Sequence, residues 1–332
     1  MRHPIASVWR LAAALALALA LASALAAAEE IVVSNYGVSA NGMPYAIAME
    51  KGYFRDEGLN VTGIITSAGG GTTLRNMLAG NAPYAEVNPV VVVSAVLQGV
   101  DLRIVSDNVL TVAEFVWAVK PDSPIKSVKD FKGRKIGYTN PRSTSQALAN
   151  LLLQSAGLTE KDVELVKTGG FAEGVAALDL GQIDVTPVPE PLWSKFKGKY
   201  RAVVVASDSL PPLDNVVGVA TAATAEKNAA FIRGVIKARQ KAVRFMKANP
   251  DEAGDIVAKA YNLDRDVARA AVRNLTTSMT AGVPYWGEGQ IHQAGLKRMI
   301  EAQKAVGAIT GEVDYDKLWD TRFLPDDQKA MK

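Results

Sequence analysis

Residues 31–80, IVVSNYGVSANGMPYAIAMEKGYFRDEGLNVTGIITSAGGGTTLRNMLAG, carry the pattern that decides the fold. Residues 31–35 form a β-rich run of strand length, and 44–51 a helical stretch that opens on Pro44 and stops at Gly52. Residues 61–67 then read as a second strand and 72–79 as a second helix closed by Gly80. Strand and helix alternating under glycine punctuation predict a parallel α/β architecture. In such sheets ligands sit beyond the carboxyl ends of the strands, where helices begin and present unpaired backbone N–H groups. The run Ser67-Ala68-Gly69-Gly70-Gly71-Thr72-Thr73 occupies such a place. Gly70 and Gly71 let the backbone approach a ligand closely and Thr72 offers a hydroxyl, while Asn35 and Tyr36 end the first strand; all five are candidate contacts.

The alternation continues outward from this stretch. Residues 89–98 read as a helix ended by Gly99, 102–106 and 115–119 as strands, and Lys120-Pro121-Asp122-Ser123-Pro124 as a crossing loop, with Ser127 and Asp130 beyond it at capping-box spacing. A second α/β unit follows: strands at 135–138 and 163–167, helices at 144–156 and 172–180 stopped by Gly157 and Gly181, and strands at 183–186 and 202–206. Pro211 and Pro212 mark a second crossing into a strand at 216–220, after which the chain is almost wholly helical. Over 225–248, Phe231, Val235, Ala238, Ala242, Phe245 and Met246 recur at helical spacing and read as core.

The second unit has its own helix start at Asn140-Pro141-Arg142-Ser143-Thr144-Ser145, which sets a guanidinium beside three hydroxyls. The plain role of Ser143, Thr144 and Ser145 is N-capping; their place at a strand end makes them and Arg142 candidate anion contacts. On that reading, replacing Ser143 and Ser145 together weakens binding and leaves stability nearly unchanged. A helix N-terminus contributes about 0.3–2 kcal/mol toward a bound negative charge whereas micromolar affinity needs about 8, so hydroxyls, Arg142 and apolar burial must supply the rest. Asn88, Phe171, and Glu190 with Trp193 complete the candidates; a carboxylate at Glu190 near an anion pocket suits a ligand that also carries an ammonium or ring N–H. Trp117, Tyr285 and Trp286 read as hinge or surface packing.

Composition removes whole classes of chemistry. Arg2 and Arg10, the Ala/Leu run over 11–25 and the small residues Ala24, Ala26 and Ala28 read as an export signal, with no basic stop-transfer flank before Glu29 and Glu30. Cleavage after Ala28 takes away two of 37 Lys and Arg and none of 34 Asp and Glu, leaving a net charge of +1 and nothing that attracts nucleic acid. The chain has no cysteine, which excludes thiol chemistry, thiolate metal sites and a lipid-modified N-terminal cysteine. His292 is the sole histidine outside the export segment, so multi-His metal clusters are excluded and no cofactor is expected.

Several stretches resemble one family, the periplasmic solute-binding proteins of ABC importers of the nitrate/sulfonate/taurine type, whose scaffold also serves thiamine-pyrimidine precursors. The most specific is Glu50-Lys51-Gly52-Tyr53-Phe54-Arg55-Asp56-Glu57-Gly58-Leu59-Asn60-Val61; the next is the run Ser123 to Ile136. Weaker matches include Ala156-Gly157-Leu158, Leu180-Gly181-Gln182-Ile183-Asp184, Glu190-Pro191 and Ala248-Asn249-Pro250. One departure is Pro83-Tyr84-Ala85, where related proteins carry an acidic residue, an aromatic and a glycine.

The resemblance implies an α/β fold of the type II periplasmic binding protein kind: two doubly wound lobes joined by two crossing strands, with a helical C-terminal part. Residues 1–28 are then the signal, 29–117 the first part of lobe one, 118–215 lobe two and 216–332 the rest of lobe one. It also implies a monomeric, periplasmic binder of a small organic anion, alkanesulfonate or taurine-like ahead of nitrate and aromatic carboxylates and with a pyrimidine as the alternative, that delivers it to an ABC permease and its ATPase, without membrane insertion of the mature chain. An enzyme of thiamine-pyrimidine synthesis shares the scaffold, but its cysteine-rich motif is absent here; a sensing module that hands ligand to a receptor is the third reading.

Overall fold

The computed structural model describes residues 29–67, 69–80 and 82–329; the expected export signal and Ala68 of the glycine run lie outside the described residues. Lobe one begins with β1 (Glu29–Ser34), α1 (Met43–Glu50), β2 (Val61–Ser67), α2 (Gly70–Gly80), β3 (Ala85–Val87), α3 (Pro89–Leu97) and β4 (Leu102–Val109). Lobe two contains β5 (Phe115–Val119), β6 (Lys135–Tyr138), α4 (Thr144–Ser155), β7 (Glu164–Lys167), α5 (Phe171–Asp179), β8 (Thr186–Pro189), α6 (Leu192–Phe196) and β9 (Arg201–Val205). The chain then returns through β10 (Val216–Thr221), α7 (Ala229–Ala248), α8 (Pro250–Tyr261), α9 (Arg265–Thr277), β11 (Trp286–Gly289) and α10 (Gln293–Ala305).

Both sheets are mixed. The first is six-stranded in the order β11-β4-β10-β3-β1-β2, parallel where β1 meets β2 and β3 and antiparallel around β10. In the second, β5 lies between β8 and β9, antiparallel to both, while β6 and β7 pair in parallel and join β8 through the Ile136–Val185 bridge. The strand expected to close the first part of lobe one, Phe115–Val119, thus belongs to the second sheet. The chain crosses over 110–114, ahead of the proline loop at 120–124, because β4 continues through Ser106, Asp107 and Asn108, polar residues that are wholly buried. The return passes Pro211 and Pro212 into β10, the strand that fills the middle of sheet one.

One face of sheet one carries α1 and α7–α9, whose apolar stripes form the largest core, and the other carries α2, α3 and α10. The helical run expected over 225–248 breaks at Asn228. Helix α7 is tied to the sheet by Arg239, which donates to the Gly287 and Asn108 carbonyls at 2.7 Å each. Its Nε lies 3.3 Å from Glu86 Oε2, an ion pair buried on both sides. Among the described residues no helix is long and apolar enough to cross a membrane.

Helix α10 is pinned to the return segment by acids. The His292 backbone N–H donates to Asp107 at 3.1 Å, its Nδ1 lies 2.9 Å from Asp214, and both carboxyls are fully buried. Burial, reinforced on Asp107 by the Asp214 charge, raises both carboxyls above the ordinary aspartate value of 3.8, so the folded pair holds a proton that the unfolded chain releases. The stability contributed is complete below 3.8 and is lost as pH rises through the raised values. His292, which burial holds below its ordinary 6.5, acts in the opposite sense and only below that value. Thermal unfolding above about pH 6.5 should therefore show a midpoint that falls with rising pH, and Asp107→Asn, which supplies a permanent donor to Asp214, should flatten the fall. A variant that tracks the wild type would show that the pair shares no proton.

Candidate functional site

The two crossing segments leave a cleft of about 470 Å3 between the sheets. The starts of α2, α3, α4 and α5 surround it, each placed by the strand or loop before it. Ten of the candidate residues line this cleft: Asn35, Gly70, Gly71, Asn88, Arg142, Ser143, Thr144, Ser145, Phe171 and Glu190. Tyr36, Thr72 and Trp193 do not. The Tyr36 ring packs edge-on against Tyr261 at 5.3 Å, Thr72 Oγ1 accepts from Arg75 at 3.0 Å, and Trp193 packs against the smaller lobe-two core.

Several of the polar candidates are already engaged by the fold. Asn35 sits in the left-handed region, φ 52°, and its Oδ1 accepts from the Gly69 N–H at 3.2 Å, so that amide of the glycine run is closed to a ligand. A Cβ on Gly70 would fall 2.7 Å from Val91 Cγ2, which makes this glycine a requirement of packing α2 on α3. Glu190 Oε1 accepts from Ser194 Oγ at 3.0 Å and from Asn274 of α9 at 2.7 Å, and Oε2 accepts from the Ser194 N–H at 3.0 Å. Its carboxylate caps the turn of α6 and ties lobe two to lobe one.

The floor of the cleft is a chain of side-chain amides. Asn88 caps α3 by accepting from Val90 N–H at 2.8 Å, donates to Thr144 Oγ1 across the cleft at 2.7 Å and to Asn215 Oδ1 at 3.3 Å. Asn215 in turn donates to Glu114 Oε1 at 2.5 Å. Burial pushes the Glu114 carboxyl up to about 8, against the lowering by its hydrogen bonds. Arg142 is exposed in the cleft wall at φ 64°, and among the described residues no acidic group pairs with its guanidinium.

Glu114, Asn215, Tyr285 and Gln303 line the cleft without having been singled out as ligand contacts in the sequence. Their membership follows from pairings distant in sequence, which no local pattern announces. Tyr285 and Trp286, read as hinge or surface packing, are each 1% exposed. Trp117 is likewise fully buried, in the lobe-two core.

The arrangement is the two-lobed fold of the periplasmic binding proteins, with the cleft lying between the lobes. The sequence profile of the family described as NMT1/THI5 like matches residues 39–253, and the chain belongs to that family. It is 24% identical over 310 residues to the riboflavin-binding protein RibY of Chloroflexus aurantiacus, covering 85% of this chain and 82% of that one. It is 29% identical over 157 residues to a putative aliphatic sulfonates-binding protein of Escherichia coli, 46% of this chain and 47% of the other. In three dimensions it matches the periplasmic aliphatic sulphonate binding protein SsuA of Escherichia coli with a TM-score of 0.75 at 20% identity, covering 90% and 94% of the two chains. The same fold carries the desulfurization enzyme DSZB, matched with a TM-score of 0.62 at 15% identity over 89% and 97%.

The expectation that Ser143 and Ser145 can be removed without loss of stability is corrected by their bonding. Ser143 Oγ accepts from Gln146 N–H at 3.2 Å as the cap of α4. Ser145, 1% exposed, accepts from Thr139 N–H at 3.0 Å and shares a bond with Thr139 Oγ1 at 2.9 Å. Denaturant unfolding should show a loss of about 1 kcal/mol for Ser143→Ala and about 1–3 kcal/mol for Ser145→Ala, since the latter removes a buried hydroxyl and leaves the part-buried Thr139 N–H without its acceptor.

Proposed function

We propose that this chain is the ligand-capturing component of an ABC importer: a monomeric periplasmic protein that closes on a small organic anion and presents it to a permease driven by its ATPase. The observation that carries the reading is the unpaired guanidinium of Arg142, set in the cleft wall beside the first turn of α4. A cation and outward-pointing amides converging on one concavity favour an anion. Among anions, sulfonates stand first, and the sulfonate-binding relatives support that order. Beside Arg142, the backbone amides of Gly71 and Thr144, at the starts of α2 and α4, are the groups we assign to the ligand. Catalysis is not part of the reading.

A specific observation favours a second ligand class. Phe115 and Phe171 line the cleft with ring centroids 5.7 Å apart, and Tyr285 joins them. These faces suit a ring, which supports an aromatic carboxylate or a pyrimidine, and the likeness to RibY points the same way.

Calorimetry against ethanesulfonate, taurine, nitrate, benzoate, riboflavin and a thiamine-type pyrimidine separates the two. Sulfonate binding in the micromolar range is expected, with Arg142→Ala weakening it about 10- to 100-fold, the worth of a hydrogen bond to a charged group. Alanine carries the same backbone cost at positive φ as arginine, so the free protein's melting temperature should not move. Stabilisation by neutral sugars alone would overturn the anion reading, and conversion of a bound compound to product, seen by mass spectrometry, would restore the enzymatic one.

A further inference from the structure

Two carboxyls line the cleft, and the fold treats them differently. Glu190 has its oxygens taken up by three hydrogen-bond donors. Glu114, the last residue before β5, is 5% exposed; its Oε1 has Asn215 and its Oε2 is buried without a hydrogen-bond partner. The Tyr285 hydroxyl lies near enough to ease ionisation without forming a bond of normal geometry. An ionised carboxylate offers about four lone-pair sites, and here Asn215 is the one donor bonded at normal geometry, the residue's own backbone N–H and the Tyr285 hydroxyl easing ionisation from less favourable positions, whereas the neutral acid has a proton of its own for the oxygen left without a partner. The Glu114 environment therefore matches the neutral form, and burial supports it by holding the group protonated up to about 8.

Position gives this protonation a consequence. Glu114 opens a hydrogen-bonded line through Asn215 and Asn88 to Thr144, in the first turn of α4, beside Arg142. A negative charge at its head would be set in the same cleft as a bound anion, in a medium that screens poorly. We propose that Glu114 determines the specificity of the cleft by acting as a neutral acid, so that capture of an anion by the ionised protein is accompanied by uptake of one proton. The inference rests on the anion reading above and deepens it: the cleft accepts an anion only with this carboxyl discharged.

The other groups facing Glu114 do not supply that proton. Burial holds the Tyr285 phenol well above its ordinary value, with Glu86 and Arg239 behind it as a closed pair. Glu190 is engaged as described. Asp214, next to Asn215 in the chain, turns its carboxyl to His292.

The test uses the full chain and ethanesulfonate, whose charge is fixed over the range, titrated from about pH 6 to about pH 9.5 in two buffers of different ionisation enthalpy. Affinity should be constant at the acid end and fall by about tenfold per pH unit above about 8, with proton uptake approaching about one per anion. Glu114→Gln, neutral at every pH, should bind with a flat profile and take up no proton, while Asp214→Asn should keep the wild-type slope. The protonated-carboxyl infrared absorption at neutral pH should be weaker in Glu114→Gln than in the wild type by the share of one group, what remains coming from the Asp107 and Asp214 pair. A flat wild-type profile, an affinity that rises with pH, or a Glu114→Gln profile equal to the wild type would each overturn the inference and leave the anion reading standing. No binding at any pH would overturn both. Should Glu114→Gln fail to fold, the wild-type profile and proton count decide alone.

Discussion

One side chain, Asn88, holds the architecture of the cleft together. Its oxygen caps α3 in lobe one, and its amide reaches α4 of lobe two and the returning segment at Asn215. Since Asn215 reaches Glu114 in the outgoing segment, the two lobes and both crossings are joined by a single line of polar groups. Asn215 and Glu114 are buried, and loss of the bond between them costs about 1–3 kcal/mol, so the line penalises other arrangements of the crossings. The backbone reinforces it: Asn215 N–H donates to Val109 O at 2.9 Å, which holds the end of β4 against the start of β10.

That constraint explains how labour divides among the polar residues of the cleft. Groups at strand ends that look like ligand contacts are first needed to close the fold, as Asn35 does for Gly69 and Ser145 for Thr139. What remains free for a guest is the Arg142 head and the amides of the helix starts that no side chain covers. A site of this kind is made by subtraction: the fold takes the partners it needs, and recognition falls to the donors left over.

The legible part of this molecule was the part written in local pattern. Helices at Pro89 and Thr144 begin at or beside the residues their signals name, because an Asn or Ser cap and a following apolar stripe act within one turn. The first crossing was misplaced for the complementary reason. Ser106-Asp107-Asn108 reads as a polar strand end, yet all three are buried, bonded to partners such as Tyr84, Glu86 and His292 that no local window contains. The strand expected at 183–186 slipped to Thr186–Pro189 in the same way, since its neighbour is β5 rather than a sequential strand. Glu114 and Asn215, 101 residues apart and hydrogen-bonded, stand for the rest of the site: they belong to the cleft through the topology, and topology is where pattern reading stops.

Helix α10 shows why the lobes form one mechanical system. It packs against α3 of lobe one and α4 of lobe two, and its buried side chains are divided between them: Leu296 and Ile300 belong to the lobe-one core, Met299 to the lobe-two core. Its start is fixed to lobe one and the return segment through His292, Asp107 and Asp214, and Arg298 donates to Pro212 O at 2.9 Å. The polar ties of the helix are therefore to lobe one and the return segment, while Met299, an unbranched side chain that fills irregular gaps, carries its packing into the lobe-two core. Gln303, one turn further on, faces the cleft with its Oε1 buried and unpartnered, so the helix that couples the lobes also forms part of the wall against which a guest would rest. Occupancy of the cleft and the relative placement of the lobes thus act on the same helix, which is the physical condition for a ligand to bias closure.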